Sequence, residues 1–203
     1  MNIRFLFDFG SPNAYLSHRV LPQLAARTGV TVDYVPVLLG GIFKATNNQS
    51  PAMAFAGIRN KLEYDHLEME RFIRRHGLTK FVFNPFFPVN TLQIMRGAAA
   101  ADLDGFLPAY VEAVMTAMWE NGKKMDDPEV IVAALDAAGL DGAAILARTQ
   151  APEVKAHLLA NTEKAVESGA FGIPTFFVGP EIFFGKDRLR DVEEEIVRVQ
   201  KAG

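Results

Sequence analysis

A serine followed by a proline stands where a strand pattern gives way to a helix pattern. Ser11-Pro12-Asn13-Ala14 follows residues 3–9, in which apolar side chains recur with a period of two. Serine is a favoured helix N-cap and proline suits the first helical position. The free N–H groups of a helix start favour an anion, and a serine hydroxyl can donate a hydrogen bond to it. The stretch predicts a helix cap, a contact to a bound thiolate, or both at once.

Any thiol at this position has to come from a ligand, because the chain contains no cysteine. A helix terminus contributes about 0.3–1 kcal/mol to anion binding, and a charge-assisted hydrogen bond contributes about 1.5–3 kcal/mol. At about 1.4 kcal/mol per pKa unit, the two together lower the pKa of a bound thiol by roughly one to three units. Ser11 itself is a poor nucleophile candidate, since no base stands in the motif.

Composition excludes several classes of function. The 203 residues are 49% hydrophobic and carry a formal charge of -3, which gives no basic surface for nucleic acid or an anionic membrane. The four histidines lack metal-ligand spacing, so we expect no metal site. Arg4 and Asp8 interrupt the first apolar run, which argues against a signal peptide, and no run is long enough to span a membrane. We therefore expect a cytoplasmic protein.

The order of elements predicts an α/β fold. A strand, a helix ending at Gly29 and a second strand from Val30 form a βαβ unit. The middle is nearly all helical, including one helix from Pro51 to near Gly77. The Phe- and Pro-rich stretch 81–90 interrupts it as a loop. Two short apolar runs around Pro180 and a last helix, with Asp187 as its cap, complete the chain.

This order is the thioredoxin topology interrupted between its halves. We assign residues 1–45 and 150–203 to a discontinuous thioredoxin-like domain and residues 46–149 to a helical insertion. The turn that carries Ser11 then lies where thioredoxin-like oxidoreductases carry Cys-x-x-Cys.

Three motifs carry a resemblance that spans essentially the whole chain. "DFGSPNAYL", "GGIFKATNNQSP" and "SGAFGIPTFFVG" followed by "FGKDRL" resemble the family of 2-hydroxychromene-2-carboxylate isomerases and kappa-class glutathione transferases. The resemblance implies a DsbA-like thioredoxin fold with a helical insertion, glutathione as cofactor, a small aromatic or electrophilic substrate and a homodimer.

The resemblance also implies roles for individual residues. Ser11 would contact the glutathione sulfur, and Ile173 would offer its backbone to the cysteinyl part beside a cis-proline at Pro174. Asn48 would also contact glutathione. The segment expected to hold the γ-glutamyl end consists of Phe184, Gly185, Lys186 and Asp187.

The matching substrate positions are Lys44, Asn47 and Asn90. Plainer interpretations stay open: the asparagine pair is also typical of a turn, and a lysine is usually a solvated charge. The sequence departs from the family pattern at Lys186, where a neutral polar residue is expected, and after Asn90, where Arg96 is the nearest cation.

The resemblance predicts a glutathione-dependent isomerase that interconverts 2-hydroxychromene-2-carboxylate and trans-o-hydroxybenzylidenepyruvate through a thiolate stabilised by Ser11. The first alternative is a kappa-type glutathione transferase that conjugates or reduces electrophiles. The second is a non-catalytic thioredoxin-like module that binds extended peptides at the edge near Pro174.

Overall fold

The computed structural model describes residues 1–202. Within them the chain forms one mixed sheet of four strands in the order β2-β1-β3-β4. β1 pairs with β2 in parallel and with β3 in antiparallel orientation. The strands are β1 (Asn2–Phe7), β2 (Thr31–Pro36), β3 (Thr175–Val178) and β4 (Glu181–Phe184).

Ten α-helices surround this sheet within residues 1–202. Their bounds are α1 (Pro12–Thr28), α2 (Leu39–Thr46), α3 (Pro51–Ala54), α4 (Lys61–His76), α5 (Leu92–Leu103), α6 (Leu107–Trp119), α7 (Pro128–Ala137), α8 (Gly142–Arg148), α9 (Pro152–Glu167) and α10 (Leu189–Ala202). A short 3-10 turn, Lys186–Arg188, precedes α10. The predicted thioredoxin order, with helices between the βαβ and ββα halves, is confirmed. The domain boundaries at residues 45 and 150 stay a prediction.

β1 is buried on both faces over most of its length. Phe5 and Phe7 are fully buried, as the period of two predicts, but Leu6 on the other face is buried as well. Arg4 places its guanidinium over the ring of Phe177, 4.6 Å from the ring centroid. Helix α1 follows β1 as predicted and ends at Gly29 in the left-handed conformation.

The single helix predicted from Pro51 to Gly77 is wrong, because the chain forms α3 and α4 with an irregular segment between them. Asn60, immediately before α4, has a φ of 67°. A left-handed residue cannot continue a right-handed helix, and asparagine adopts that conformation more readily than most residues. The predicted role of Asp187 as the cap of the last helix is also wrong, since Asp187 lies within the 3-10 turn.

Helix α2 was not predicted, because Gly40 and Gly41 have low helix propensity. Its first residue, Leu39, donates its N–H to the carboxylate of Asp8 at 2.8 Å. The carboxylate of Asp8, the residue after β1, therefore satisfies a free N–H at the start of α2, a contact that only the tertiary structure supplies.

Two X-Pro peptide bonds are cis. Ile173-Pro174 is cis, as the resemblance implies, and Phe87-Pro88 is a second that the sequence did not predict. Among residues 1–202 no helix is both long and apolar enough to cross a membrane. The same residues contain no group of three or more side chains arranged as metal ligands.

Two helical glycines differ in the space around them, which gives a stability prediction. A Cβ at Gly97 in α5 would lie 2.6 Å from Cζ of Tyr110, whereas a Cβ at Gly40 in α2 would meet nothing within 4 Å. We expect Gly97→Ala to lower the free energy of unfolding by about 1–3 kcal/mol through overpacking. Gly40→Ala should be neutral or stabilising by up to about 1 kcal/mol. Urea denaturation of both variants checks this, and equal effects would contradict it.

Candidate functional site

The side chain of Ser11 connects the start of α1 with the loop before β3. Its Oγ accepts the N–H of Ala14 at 3.2 Å and donates to the carbonyl oxygen of Ile173 at 3.3 Å. Ser11 is 5% exposed and Ile173 is 7% exposed. The hydroxyl is therefore a helix cap and at the same time lies beside the residue that precedes the cis-proline.

The loop 171–174 brings most of the predicted glutathione residues together. Asn48 donates its Nδ2 to the carbonyl oxygen of Phe171 at 2.7 Å, and Gly185 donates its N–H to the carbonyl oxygen of Pro174 at 2.9 Å. The rings of Phe171 and Phe184 lie 4.6 Å apart. Residues from three distant parts of the sequence thus meet around one short loop next to Ser11.

Lys186 lies differently from its neighbours in the predicted γ-glutamyl segment. It is 4% exposed, and its Nζ donates to Oδ1 of Asp187 at 2.7 Å. Its ammonium also lies 5.2 Å from the ring centroid of Phe72 on α4. Asp187 keeps most of its side chain exposed, so the carboxylate remains available at the surface.

The predicted substrate residues are spread more widely. Lys44 and Asn47 are exposed on α2 and at its end, and within residues 1–202 no hydrogen bond joins their side chains to Ser11. Asn90 accepts the N–H of Leu92 through its Oδ1 at 3.1 Å. Within residues 1–202 the structure therefore forms no hydrogen bond between these three side chains and Ser11.

Asn90 lines a polar surface cavity of about 390 Å³ at the start of α5. The lining residues are Asn90, Leu92, Gln93, Arg96, Asp126 and Gln150. Arg96 makes no ion pair with any carboxylate among the residues that the structure describes. The cavity thus combines an amide and a cation close to Thr91, whose methyl group would lie 3.1 Å from a Cβ at Gly10.

Residues that hold the turn before Ser11 were missed by sequence reasoning. Phe9 donates its N–H to the sulfur of Met95 at 3.4 Å and accepts a hydrogen bond from Trp119 Nε1 at 2.8 Å. Asp8 accepts the N–H of Gly10 at 2.8 Å through its side chain. The only signal for these contacts was Asp8, a charged residue inside an apolar run.

Asp8 is almost fully buried, and its position affects its ionisation. Burial raises the pKa of Asp8 above its ordinary value, while hydrogen bonds from Gly10, Leu39 and Thr91 offset part of that rise. Its two carboxylate oxygens tie the Ser11 turn to the first residue of α2. Asp8 therefore positions two of the segments that meet at the site.

The Phe-rich loop forms an exposed aromatic surface beside the same turn. Phe83, Phe86 and Phe87 are 37–49% exposed. The buried side chain of Asn84 holds the loop by donating to the carbonyl oxygens of Met118 and Lys123, each at 2.9 Å. The ring of Phe87 lies 6.3 Å from that of Trp119, which bonds to Phe9. The predicted loop thus forms an aromatic wall. It approaches Trp119 through the ring of Phe87, and Trp119 bonds to Phe9, two residues before Ser11 in the sequence.

Charged side chains fasten α1 to α6. Arg19 donates to both carboxylate oxygens of Glu112 at 2.8 Å and pairs also with Glu120. Tyr15 donates to Glu120 at 3.0 Å. The hydrogen bond from His18 is the largest influence on Glu112, and together with Arg19 it lowers the pKa of that carboxyl to about 2. Glu112 therefore stays ionised and paired at neutral pH.

Comparison with known proteins decides the family. The model of the DSBA-like thioredoxin domain matches residues 2–197. The chain belongs to this family. A 2-hydroxychromene-2-carboxylate isomerase from Pseudomonas putida is 28% identical over 98% of this chain and 96% of its own length. Glutathione S-transferase kappa 1 from Rattus norvegicus is 26% identical over 92% of this chain and 87% of its own length.

Solved structures agree with this assignment. The structure of a 2-hydroxychromene-2-carboxylate isomerase superposes with a TM-score of 0.85 at 27% identity, covering 100% of this chain and 97% of that chain. The oxidoreductase DsbA from Xylella fastidiosa shares the fold, with a TM-score of 0.61 at 18% identity, covering 100% of this chain and 87% of that chain. Two of the proteins that are similar along nearly the whole chain are thus named as a 2-hydroxychromene-2-carboxylate isomerase and a kappa-class glutathione transferase.

The buried carboxyl of Asp8 gives a pH-dependent prediction. Because its pKa is raised in the folded protein, the stability it contributes is complete below the unfolded-state value of about 3.9 and is lost as the pH rises through the folded-state pKa. We expect the stability advantage of the wild type over Asp8→Asn to shrink between pH 3 and 7, by about 1.4 kcal/mol for each unit of elevation. Urea denaturation at several pH values measures it. An advantage that grows with pH would show that the hydrogen bonds outweigh burial.

Proposed function

We propose that this protein is a glutathione-dependent isomerase that interconverts 2-hydroxychromene-2-carboxylate and trans-o-hydroxybenzylidenepyruvate. One observation carries the proposal: the buried hydroxyl of Ser11 stands at the start of α1 and also reaches the carbonyl oxygen of Ile173. A sulfur at this place would meet a hydroxyl donor and the free N–H groups of a helix of 17 residues. The similarity to proteins named as 2-hydroxychromene-2-carboxylate isomerases supports the same reaction.

The donors and acceptors near Ser11 fit a γ-glutamyl tripeptide. The N–H of Ile173 makes no hydrogen bond to another group of residues 1–202, although the residue is buried. Buried N–H groups without partners are rare, so an extended peptide that pairs with Ile173 would satisfy one. Asn48 offers an exposed amide beside Phe171.

The reaction needs temporary single-bond character in a carbon-carbon double bond. Glutathione, when bound, supplies a thiolate that adds to the conjugated carbon and leaves it again. Ser11 holds the sulfur as its anion by donating a hydrogen bond, for which it releases the carbonyl oxygen of Ile173. In this proposal the cavity at the start of α5, which Asn90 and Arg96 line, receives the polar end of the substrate: Asn90 donates to the developing enolate oxygen and Arg96 meets the carboxylate.

The aromatic wall gives the substrate an apolar surface. Phe83 and Phe87 expose their rings next to Trp119, Phe86 is exposed on the same loop, and exposed apolar surface of this kind typically marks a ligand or partner site. A bicyclic aromatic acid would stack on this wall and direct its carboxylate to Arg96. The aromatic ring of the substrate would then contact the aromatic wall, and its carboxylate would contact Arg96.

A kappa-type transferase is the second candidate, and two relatives named glutathione S-transferase kappa 1 support it. The two reactions share Ser11 and differ in the fate of glutathione, which the isomerase returns unchanged and the transferase consumes. A peptide-binding module is the third possibility, and it would not distinguish glutathione from S-methylglutathione. The division into a thioredoxin-like domain and a helical insertion is part of this proposal. So is the homodimer that the family resemblance implies.

The thiolate role of Ser11 can be measured directly. We expect the thiol of glutathione bound to wild-type protein to titrate roughly one to three pKa units below that of free glutathione. Ser11→Ala should raise the bound value by at least one unit and remove most isomerase activity. Ultraviolet absorbance of the thiolate, recorded against pH, gives both pKa values.

Ser50→Ala is a matched control for Ser11→Ala. Ser50 also precedes a proline and caps a helix, since its Oγ accepts the N–H of Met53 at 3.4 Å. Both variants should lose about 1 kcal/mol or less of stability from the missing cap, but only Ser11→Ala should change the thiol pKa. Binding without any change of pKa in the wild type would contradict the thiolate mechanism and favour the peptide-binding module.

Arg96 provides a test of the substrate's orientation. Arg96→Gln should raise KM for 2-hydroxychromene-2-carboxylate roughly tenfold, because a charge-assisted hydrogen bond to the carboxylate is lost. The exposed Arg59→Gln serves as the control and should leave KM unchanged. Steady-state kinetics at saturating glutathione measures both. An unchanged KM in Arg96→Gln would place the carboxylate elsewhere.

A further inference from the structure

The most unusual charged group of the site is the ammonium of Lys186. Lysine is rarely fully buried unless it is paired, and this side chain is 5% exposed. The 3-10 turn that carries it packs against α1, and the backbone of Gly185 is bonded to Pro174. Lys186 therefore belongs to the segment at the γ-glutamyl end of the proposed glutathione site, although its own ammonium faces the protein interior.

Three groups surround this ammonium. Asp187 accepts its hydrogen bond at 2.7 Å, and the ring of Phe72 lies 5.2 Å away on α4. Glu68 lies one turn before Phe72; its hydrogen bond with Arg71 lowers its pKa most, and Lys186 contributes to the same shift. α4 thus holds Lys186 in place, and Lys186 in turn holds a positive charge against the carboxylate of Asp187.

Asp187 is the acidic side chain expected to receive the α-ammonium of a γ-glutamyl group. Its charge is already compensated by Lys186, so a second ammonium at Asp187 would stand close to the first. A like charge nearby weakens the attraction that a lone carboxylate would exert. A ligand that ends in a carboxylate alone meets no such repulsion.

We propose that Lys186 is a specificity-determining residue that makes this site accept acidic thiol ligands without regard to an α-ammonium. The inference rests on the proposed function, because it concerns the far end of the same thiol site. In this chain the α-ammonium of glutathione contributes little to binding, and a thiol tripeptide that carries only a carboxylate there binds equally well. The neutral residue expected at this position would leave Asp187 free to select the ammonium.

Two tripeptides test the proposal: glutathione and N-glutaryl-cysteinylglycine, which lacks only the α-ammonium. Titration calorimetry on wild-type protein should give dissociation constants within about twofold of each other. Lys186→Met keeps an unbranched apolar side chain, one atom shorter, beside Phe72 but removes the charge. In this variant glutathione should bind about fivefold more tightly than the glutaryl peptide, as expected for one exposed ion pair.

Lys61→Met is the matched control, because Lys61 also lies over an aromatic ring, that of Phe55, and pairs with an aspartate, Asp65. It should leave the ratio of the two constants at the wild-type value. Asp187→Asn tests the same proposal if Lys186→Met fails to fold. Made in the wild-type background, it should change the affinities for glutathione and for the glutaryl peptide by the same factor. A selective loss of glutathione affinity in Asp187→Asn would overturn the proposal.

The outcomes also separate this inference from the proposed function. If wild-type protein prefers glutathione by fivefold or more, and Lys186→Met leaves that preference unchanged, Lys186 does not set specificity while the thiol site stands. If neither tripeptide binds to the wild type, the glutathione site itself is rejected and the inference falls with it. If both bind equally and only Lys186→Met discriminates, the inference is established.

Discussion

The position of Ser11 depends on hydrogen bonds to the backbone of the turn before it. The N–H and carbonyl of Phe9 are bonded to Met95 and Trp119, which lie on α5 and α6, and the carbonyl of Asp8 accepts the N–H of Ser11 at 3.1 Å. Buried backbone groups need such partners, since each unsatisfied one costs about 1–3 kcal/mol. The helical segment between the two halves of the sheet therefore supplies what the β1–α1 turn lacks. It belongs to the construction of the site as much as the sheet does.

The helix that begins at Ser11 is also fixed along its length. Arg19 joins it to α6, and near its end Arg27 pairs with Glu193 of α10 at 2.8 Å. Exposed ion pairs of this kind contribute little to stability individually. Their geometric effect is larger, because a helix held at its middle and near its C-terminal end presents its first N–H groups in one orientation. Stabilisation of an anion by fixed dipoles requires this, since dipoles that must reorient lose part of their effect.

The parts predicted from the sequence are those set by local chemistry. The period of two in β1, the Ser11-Pro12 start of α1 and the Gly29 end depend on neighbours in the chain, and the structure has all three. What the sequence did not reveal depends on distant partners. Helix α2 begins at the carboxylate of Asp8, just after β1, and the ammonium of Lys186 is buried against α4. The pattern of apolar residues in the sequence does not indicate which helix packs over which charged side chain. The resemblance supplied the identity of the ligand residues, and their meeting around the loop 171–174 required the tertiary structure.

In the proposed mechanism a chain without cysteine stabilises the thiolate of a bound ligand, and ligand binding is thereby linked to ionisation of the thiol. The free energy with which Ser11 and the start of α1 stabilise the sulfur anion is the same free energy by which the thiolate binds more tightly than the thiol, about tenfold for each pKa unit. The protein gains this advantage only if the rest of the ligand places the sulfur at the helix start. In this proposal the backbone of Ile173 and the turn at Lys186 therefore help to place the sulfur at Ser11. If the contacts at the γ-glutamyl end are weak, the sulfur of the ligand spends less time at the start of α1. The selectivity of that end therefore limits which thiols this helix can ionise.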